Sequence, residues 1–330
     1  MLIALDAMGG DHAPAEIVAG ALLASRDLGI DVALVGPQDV VAAELKHHGA
    51  IPPGIDIIHA SEAIAMDEHP AQAVRTKRDA SINVAMGMVK RGVAGAFVSA
   101  GNTGAVMASA LMTLGRIQGI ERPALGTIAP FTETGILVLD VGANADVKPS
   151  YLVQFAQMGS VYAERVMGIS NPRVALLNIG GEETKGSELM QEVYTRLAKA
   201  GINFVGNIEG GEVHRGRADV IVTDGFTGNV AVKVTEGVAD FIFRELRGAL
   251  TAKPHYKLAA MVLRPALVKM RDRMDPATYG GVPLIGVNGF VMIAHGASDA
   301  RAIRNALRAA SDGASSGMLD VIRTTLQRKN

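Results

Sequence analysis

The sequence predicts an α/β fold of three layers, α/β/α, with helices on both faces of a largely parallel sheet. Three observations predict it. Short aliphatic runs recur, most of them run into glycine-bearing polar loops, and longer stretches with helical spacing of apolar residues follow. Runs that are apolar throughout, rather than alternating, belong to strands covered on both faces, as in a parallel sheet between helices. The runs at 2–5, 32–35, 55–58, 94–98, 136–139, 174–177, 202–205 and 220–222 are read as strands. The segments 14–28, 71–91, 104–114, 153–167, 187–199, 230–250, 258–273 and 299–307 carry the helical spacing. The uncharged stretch between Arg91 and Arg116 resolves into a strand, a loop and a helix, because Ser99, Asn102 and Thr103 break it among glycines. No repeat or linker divides the chain, so residues 1–330 are expected to form one α/β body, with 240–280 a helical segment within it that is a candidate to protrude toward a dimer partner or a membrane.

Composition narrows the function classes. The 330 residues contain 32 Lys plus Arg and 33 Asp plus Glu, so the formal charge of -1 argues against a nucleic-acid partner. Aromatic residues are only 4%, so the core is aliphatic. With no cysteine, a thiol nucleophile, a thiolate metal site and a disulfide framework are excluded, and a reducing, cytoplasmic location is expected. Asp6 interrupts the apolar start and no basic segment precedes it, so no secretory signal is expected.

In doubly wound sheets, ligands bind beyond the carboxyl ends of the strands. The loops expected there are Asp6-Ala7-Met8-Gly9-Gly10-Asp11-His12-Ala13-Pro14, Ser99-Ala100-Gly101-Asn102-Thr103-Gly104 and Asp140-Val141-Gly142-Ala143-Asn144. Three more follow: Asn178 through Lys185-Gly186, Gly206-Asn207-Ile208-Glu209-Gly210, and Thr223-Asp224-Gly225-Phe226-Thr227-Gly228-Asn229. All six are expected on one edge of the sheet, forming one site. Glycine admits close backbone approach and a helix N-terminus offers unpaired N–H groups, so both the Gly101 to Gly104 turn and the Thr227 to Asn229 turn suit an anion, or serve as plain helix caps. Neither G-x-G-x-x-G nor G-x-x-x-x-G-K-[ST] is present, so a dinucleotide or P-loop nucleotide is unsupported. Lys185 offers a cation to a phosphate, or merely opposes Glu182 and Glu183. Asp6, Asp11, Asp140 and Asp224 are open to three uses: Mg2+ binding, acid–base work or capping. No zinc-ligand spacing occurs among the histidines; His12 and His295, in glycine-flanked loops, are candidates for orientation or proton transfer.

Together these motifs resemble the PlsX-type phosphate acyltransferases of bacterial phospholipid synthesis. The resemblance runs through Ala4-Leu5-Asp6-Ala7-Met8-Gly9-Gly10-Asp11, Ser99-Ala100-Gly101-Asn102-Thr103-Gly104-Ala105, Gly119-Ile120-Glu121-Arg122-Pro123-Ala124 and Leu139-Asp140-Val141-Gly142-Ala143-Asn144. It continues through Lys185-Gly186, Phe204-Val205-Gly206-Asn207, Val222-Thr223-Asp224-Gly225-Phe226-Thr227-Gly228-Asn229, Tyr279-Gly280-Gly281 and Ala294-His295-Gly296-Ala297-Ser298. It implies a fold related to phosphotransacetylase and isopropylmalate dehydrogenase, a homodimer, and acyl transfer from acyl-acyl carrier protein to inorganic phosphate, with no cofactor. It places catalytic roles on Lys185 and Asn229. Asp6, Gly9, Gly10, His12, Gly101, Asn102, Thr103, Gly104, Asp140, Asn144, Asp224, Thr227, Gly228 and His295 are then expected to bind phosphate and substrate, with phosphate held jointly by Lys185 and the Gly101 to Gly104 amides. The alternative activity is a phosphotransacetylase-like transfer from acyl-coenzyme A.

Two surfaces suit acidic partners. Arg75, Lys77, Arg78, Lys90 and Arg91, on one expected helix, form a candidate docking face for the carrier protein, or a solvated helix face. Residues 251–275 carry six basic and two acidic groups, +4, beside Leu258, Met261, Val262, Pro265, Val268 and Met270. A basic amphipathic helix of this kind suits an anionic membrane surface, where a membrane glycerol-3-phosphate acyltransferase would take the product, or packing in a dimer.

Overall fold

The computed structural model describes residues 1–274 and 278–327. Its strands are β1 Leu2–Asp6, β2 Asp31–Gly36, β3 Ile55–His59, β4 Ala96–Ser99, β5 Ala124–Ala129, β6 Ile136–Leu139, β7 Val174–Asn178, β8 Phe204–Glu209, β9 Val220–Val222, β10 Val282–Ile285 and β11 Phe290–Ile293. The helices are α1 Ala15–Leu28, α2 Gln38–His47, α3 Pro70–Thr76, α4 Ser81–Lys90, α5 Thr103–Thr113, α6 Pro149–Arg165, α7 Glu188–Leu197, α8 Gly225–Thr251, α9 Pro254–Met274, α10 Ala300–Ser315 and α11 Met318–Gln327. The strands form one sheet in the order β3-β2-β1-β4-β11-β10-β5-β6-β9-β7-β8.

The three-layer architecture follows from the pleat. Ile3 and Leu5 of β1 belong to the buried cluster that runs along one face with residues of α1, α2, α6, α7, α10 and α11, while Ala4 belongs to the cluster of α3, α4 and α5 on the other. The strand interiors are buried from Ile3 to Leu5, Val32 to Val35, Ala96 to Val98 and Ile136 to Leu139, which is why those runs carry no polar alternation.

The sheet reverses direction in its middle. β3, β2, β1, β4 and β11 are parallel, but β10 is antiparallel to both β11 and β5, and β5 is antiparallel to β6. From β6 onward, β9, β7 and β8 are again parallel to one another. The carboxyl ends of β1, β4 and β11 therefore open on one edge of the sheet, and those of β6, β9, β7 and β8 on the opposite edge. The six expected loops are thus divided between two edges rather than gathered on one.

The expected helix over 71–91 is two helices. Asn83 donates its side-chain amide to the carbonyls of Val74 (3.0 Å) and Lys77 (2.8 Å), closing α3 before α4 begins. Lys77 is drawn inward, bonded to the Ala63 carbonyl (2.9 Å) and paired with Glu68 (2.7 Å). The five basic residues consequently do not share one helix face. The expected strand at 202–205 begins two residues later, as β8, with Ile202 packed against the core.

The stretch between Arg91 and Arg116 folds as β4, a loop and α5, as the sequence predicts. No helix among the described residues is long and apolar enough to cross a membrane. The segment expected to protrude is a helical hairpin of α8 and α9: Gly225 and Gly228 are the buried residues of α8, and α9 has none among its described residues. Val230, Val234, Val238 and Phe241 form an exposed stripe along α8, and Leu258, Met261 and Val262 are exposed on α9. Asp275, the last residue of the basic segment, lies outside the described residues.

Candidate active site

Adjacent strands assemble the second edge. Leu139 is in register with Val222, Val222 with Leu176, and Asn178 with Glu209, so the turns after β6, β9, β7 and β8 stand side by side. Asp140 organises the first turn. It is fully buried, and its carboxylate accepts N–H groups from Leu125 (3.0 Å), Gly142 (3.2 Å), Ala143 (3.0 Å) and Asn144 (2.7 Å), plus the Asn144 side-chain amide (2.9 Å). Such convergence explains how this side chain is accommodated in the interior. Asn144 also donates to the Pro123 carbonyl (2.9 Å), and its own carbonyl accepts the Gly225 N–H (2.7 Å), which ties the turn to the start of α8.

Asp224 caps α8 by accepting the Thr227 N–H at 2.8 Å. The Gly228 N–H bonds the Asp224 carbonyl (2.9 Å), so among the first-turn amides that of Phe226 has no acceptor in the described residues. Asn229, exposed one turn in, donates one side-chain N–H to the Val141 carbonyl (3.1 Å) and keeps the other. Gly228 lets helix and turn meet: a Cβ there would lie 1.9 Å from the Asp140 carbonyl oxygen.

Lys185 stands on the turn between β7 and α7. Its chain lies over Gly180, where a Cβ would meet its Cγ at 2.7 Å and Cδ at 3.1 Å. The residue is exposed, and its ammonium forms no ion pair or hydrogen bond among the described residues, Glu182 and Glu183 included. Beside it, Ile179 is among the most exposed large apolar residues, at 82%, and Phe226 is exposed as well. The Thr223 hydroxyl and the Asn207 carbonyl oxygen are buried at this edge without partners. The edge thus offers an unpaired cation, a free helix amide, a half-free carboxamide and apolar side chains, a set suited to an anion attached to or reacting with an apolar group.

The first edge is different in kind. Asp6 is buried, which pushes its carboxyl above the usual carboxylate range; hydrogen bonds from the Ser81 and Ser99 hydroxyls and the Met8 and Gly9 amides oppose that shift. The Ser99 hydroxyl donates to Asp6 (2.7 Å) and accepts the Gly101 N–H (2.9 Å). Gly9 has no space beside it: a Cβ would meet Asp6 at 2.5 Å and the Gly101 nitrogen at 2.6 Å. Asn102 caps α5 through Ala105 (3.1 Å) and donates to the Met66 (3.0 Å) and Glu68 (3.3 Å) carbonyls. Thr103 is exposed, and Gly104 lies against Pro70. The Gly296 carbonyl accepts the Asp11 N–H (2.8 Å) and His295 Nδ1 accepts the Ala297 N–H (3.2 Å); Gly10 lies next to Ala100 and Gly296, and His12 is exposed. Most polar atoms here serve one another.

The two edges do not form one pocket in a single chain. Six strand spacings separate β4 from β7, about 29 Å at ~4.8 Å each. The Gly101 to Gly104 amides and Lys185 therefore cannot share one phosphate within a chain, which corrects the joint cradle expected from the sequence. Lys185, Asn229, Asp140, Asn144, Asp224, Thr227 and Gly228 stand on the second edge; Asp6, Gly9, Gly10, His12, Gly101, Asn102, Thr103, Gly104 and His295 stand on the first. No cluster of three His, Asp or Glu side chains suited to a metal occurs among the described residues.

Known proteins place this architecture. Residues 1–320 match the family model described as "Fatty acid synthesis protein". The phosphate acyltransferase of Desulfitobacterium hafniense (strain DSM 10664 / DCB-2) is 52% identical over 329 residues, covering 99% of this chain and 98% of the relative. That of Heliobacterium modesticaldum (strain ATCC 51547 / Ice1) is 53% identical over 330 residues, covering 100% and 98%. The chain belongs to the phosphate acyltransferase family. It is therefore an acyltransferase, and its fold is shared more widely. A phosphotransacetylase from Streptococcus pyogenes superposes with a TM-score of 0.65 at 16% identity, covering 96% of this chain and 94% of that one. A 4-hydroxythreonine-4-phosphate dehydrogenase from Klebsiella pneumoniae gives 0.58 at 14% identity, with 95% and 99% covered.

In this family member, sequence reasoning missed several residues that hold the site. Gln191 falls inside the expected helix of 187–199, yet it bonds the Thr184 carbonyl at 2.8 Å. Asn178 and Asn207 lie inside expected loops, and the sequence alone singles out neither. Their signal is positional, since each is a carboxamide in or at the end of a strand beside the lysine turn.

Proposed function

We propose that this phosphate acyltransferase moves a fatty acyl group from the thioester of acyl-acyl carrier protein to inorganic phosphate at the second sheet edge. The observation that carries the reading is the unpaired, exposed Lys185 on the same edge as the Phe226 amide and Asn229, in a chain with no cysteine to form an acyl-enzyme. Lys185 holds the phosphate dianion. A phosphate oxygen adds to the thioester carbonyl carbon, and the Phe226 amide and the second N–H of Asn229 stabilise the oxyanion. Collapse breaks the carbon–sulfur bond, releasing acyl phosphate and the carrier thiolate, which takes a proton from solvent. No cofactor enters the scheme.

The α8–α9 hairpin supports a homodimer, since the stripe Val230, Val234, Val238 and Phe241 repeats at helical spacing on an unpartnered face. Leu258, Met261 and Val262 beside Lys253 and Lys257 support peripheral contact with an anionic membrane, where a membrane glycerol-3-phosphate acyltransferase would use the acyl phosphate. The enzyme would then be cytoplasmic.

Phosphate-dependent release of carrier thiol from long-chain acyl-acyl carrier protein tests the reading, with acyl-coenzyme A as the competing donor. Turnover in Lys185→Ala is expected to fall to a low residual rate, and normal turnover would remove Lys185 from the scheme. A stoichiometric acyl-enzyme, formed without phosphate and competent to react with it, would overturn direct attack.

A further inference from the structure

We infer that Asn207 is a positioning residue for Lys185, the buried member of a three-carboxamide cradle that fixes the turn between β7 and α7. The inference rests on the role given to Lys185 above. A lysine side chain has many rotamers, so aiming its ammonium requires a fixed backbone beneath it. In this turn the carbonyls of Glu182, Thr184, Lys185 and Gly186 are each held by a side-chain amide. Asn178 donates to Lys185 (3.1 Å), Gln191 to Thr184 (2.8 Å) and Gly186 (3.3 Å), and Asn207 to Glu182 (2.8 Å). The Glu182 carbonyl also accepts the Lys185 N–H at 3.1 Å, so Asn207 and the Lys185 backbone meet at a single oxygen atom. Gly180 then seats the lysine chain above the turn, and Gly186, at φ +86°, abuts Asn178.

Asn207 differs from an ordinary loop anchor. It is 5% exposed, and its side-chain carbonyl oxygen has no partner. A buried unsatisfied polar atom is costly, and an exposed anchor such as Gln191 avoids that cost. A neutral carboxamide can donate to Glu182 without offering a counter-charge to Lys185. An aspartate at 207 would lose this donor and repel the Glu182 carbonyl.

The test measures phosphate-dependent thiol release in Asn207→Ala, Gln191→Ala, Lys185→Ala and the two double variants with Lys185→Ala. Asn207→Ala is expected to lower kcat/KM for phosphate about tenfold, chiefly through KM, because a misplaced binding group costs rate steeply. Gln191→Ala is expected to shift it the same way by about threefold, and its exposed position keeps folding out of question. Neither substitution should reduce activity further once Lys185 is alanine, since a residue acting through Lys185 has nothing left to position. Effects that multiply on the residual rate of Lys185→Ala in the double variants would overturn the inference, as would Asn207→Ala and Gln191→Ala within about twofold of wild type while Lys185→Ala has lost most of its activity. In that second case the proposed function stands. Normal turnover in Lys185→Ala would instead overturn the role of Lys185 and this inference with it.

Discussion

Replacing Gly228 with alanine tests whether the glycines of this edge join segments of protein or make room for ligand. The added Cβ would stand 1.9 Å from the Asp140 carbonyl oxygen and 2.9 Å from Thr223 Cγ2. An ordinary carbon–oxygen contact is about 3.3 Å, so α8 must move away from the β6 turn by more than ~1 Å. The obstacle is backbone, pinned from below by the five N–H bonds to the Asp140 carboxylate, and cannot swing aside. Overpacking of this kind costs about 1–3 kcal/mol, and losing the bond from Asn229 to the Val141 carbonyl adds about 1 kcal/mol. A total near 3 kcal/mol lowers Tm by about 4 °C in a cooperative body of this length. Asn229 and the Phe226 amide move with the helix, so kcat/KM should fall by about 10- to 100-fold. Differential scanning calorimetry and the thiol-release assay read the two effects. Gly248→Ala, on the same helix with nothing within 4 Å of its Cβ position, serves as the control and should be neutral or up to ~1 kcal/mol stabilising. A Gly228→Ala enzyme with Tm within about 1 °C and activity within about twofold of wild type would refute the packing role.

Further outcomes follow from other parts of the molecule. Asp140→Asn places an NH2 group among five N–H donors and should cost about 2–4 kcal/mol, measurable as a lowered urea midpoint; an unchanged midpoint would mean the turn holds itself. For Asp219, burial pushes the carboxyl up, but the side-chain and backbone hydrogen bonds from Arg173 outweigh it, leaving the folded carboxyl below its usual 3.8. The pair's contribution, up to ~1 kcal/mol at this partly exposed site, is present above pH 3.8 and is lost as pH falls through the lower folded value. The stability gap between wild type and Arg173→Ala should therefore narrow in acid, and a gap that stays constant from pH 6 down to about pH 2 would contradict the ion pair. Leu258→Glu should abolish flotation with anionic liposomes while thiol release from soluble substrate persists; undiminished flotation would count against α9 as the contact.

How much of this was legible in the sequence depends on what an apolar run encodes. Continuous burial of Ile3 to Leu5, Val32 to Val35 and Ile136 to Leu139 writes itself into composition, so those strands, their helices and the three-layer class could be read directly. Strand direction is not written there, because a buried run looks the same whichever way it points. The strands that reverse the sheet were also the hardest to see: β5 contains Gly126 and Thr127, β10 contains Pro283, and β11 follows the Gly286-Val287-Asn288-Gly289 turn. Once those strands are recognised, their direction is dictated by loop length. Residues 130–135 join β5 to β6 and residues 286–289 join β10 to β11, and connections of six and four residues are too short for a parallel crossover. The polar glycine turns are therefore visible in the sequence, but their division between two edges is not, because three overlooked strands carry the reversal. The same reversal puts Lys185 and Asn229 on one edge and leaves the Asp6, Ser99 and Gly101 network interlocked on the other. Activity should accordingly respond to the carboxamides of the second edge, while substitutions in the first network should act through stability.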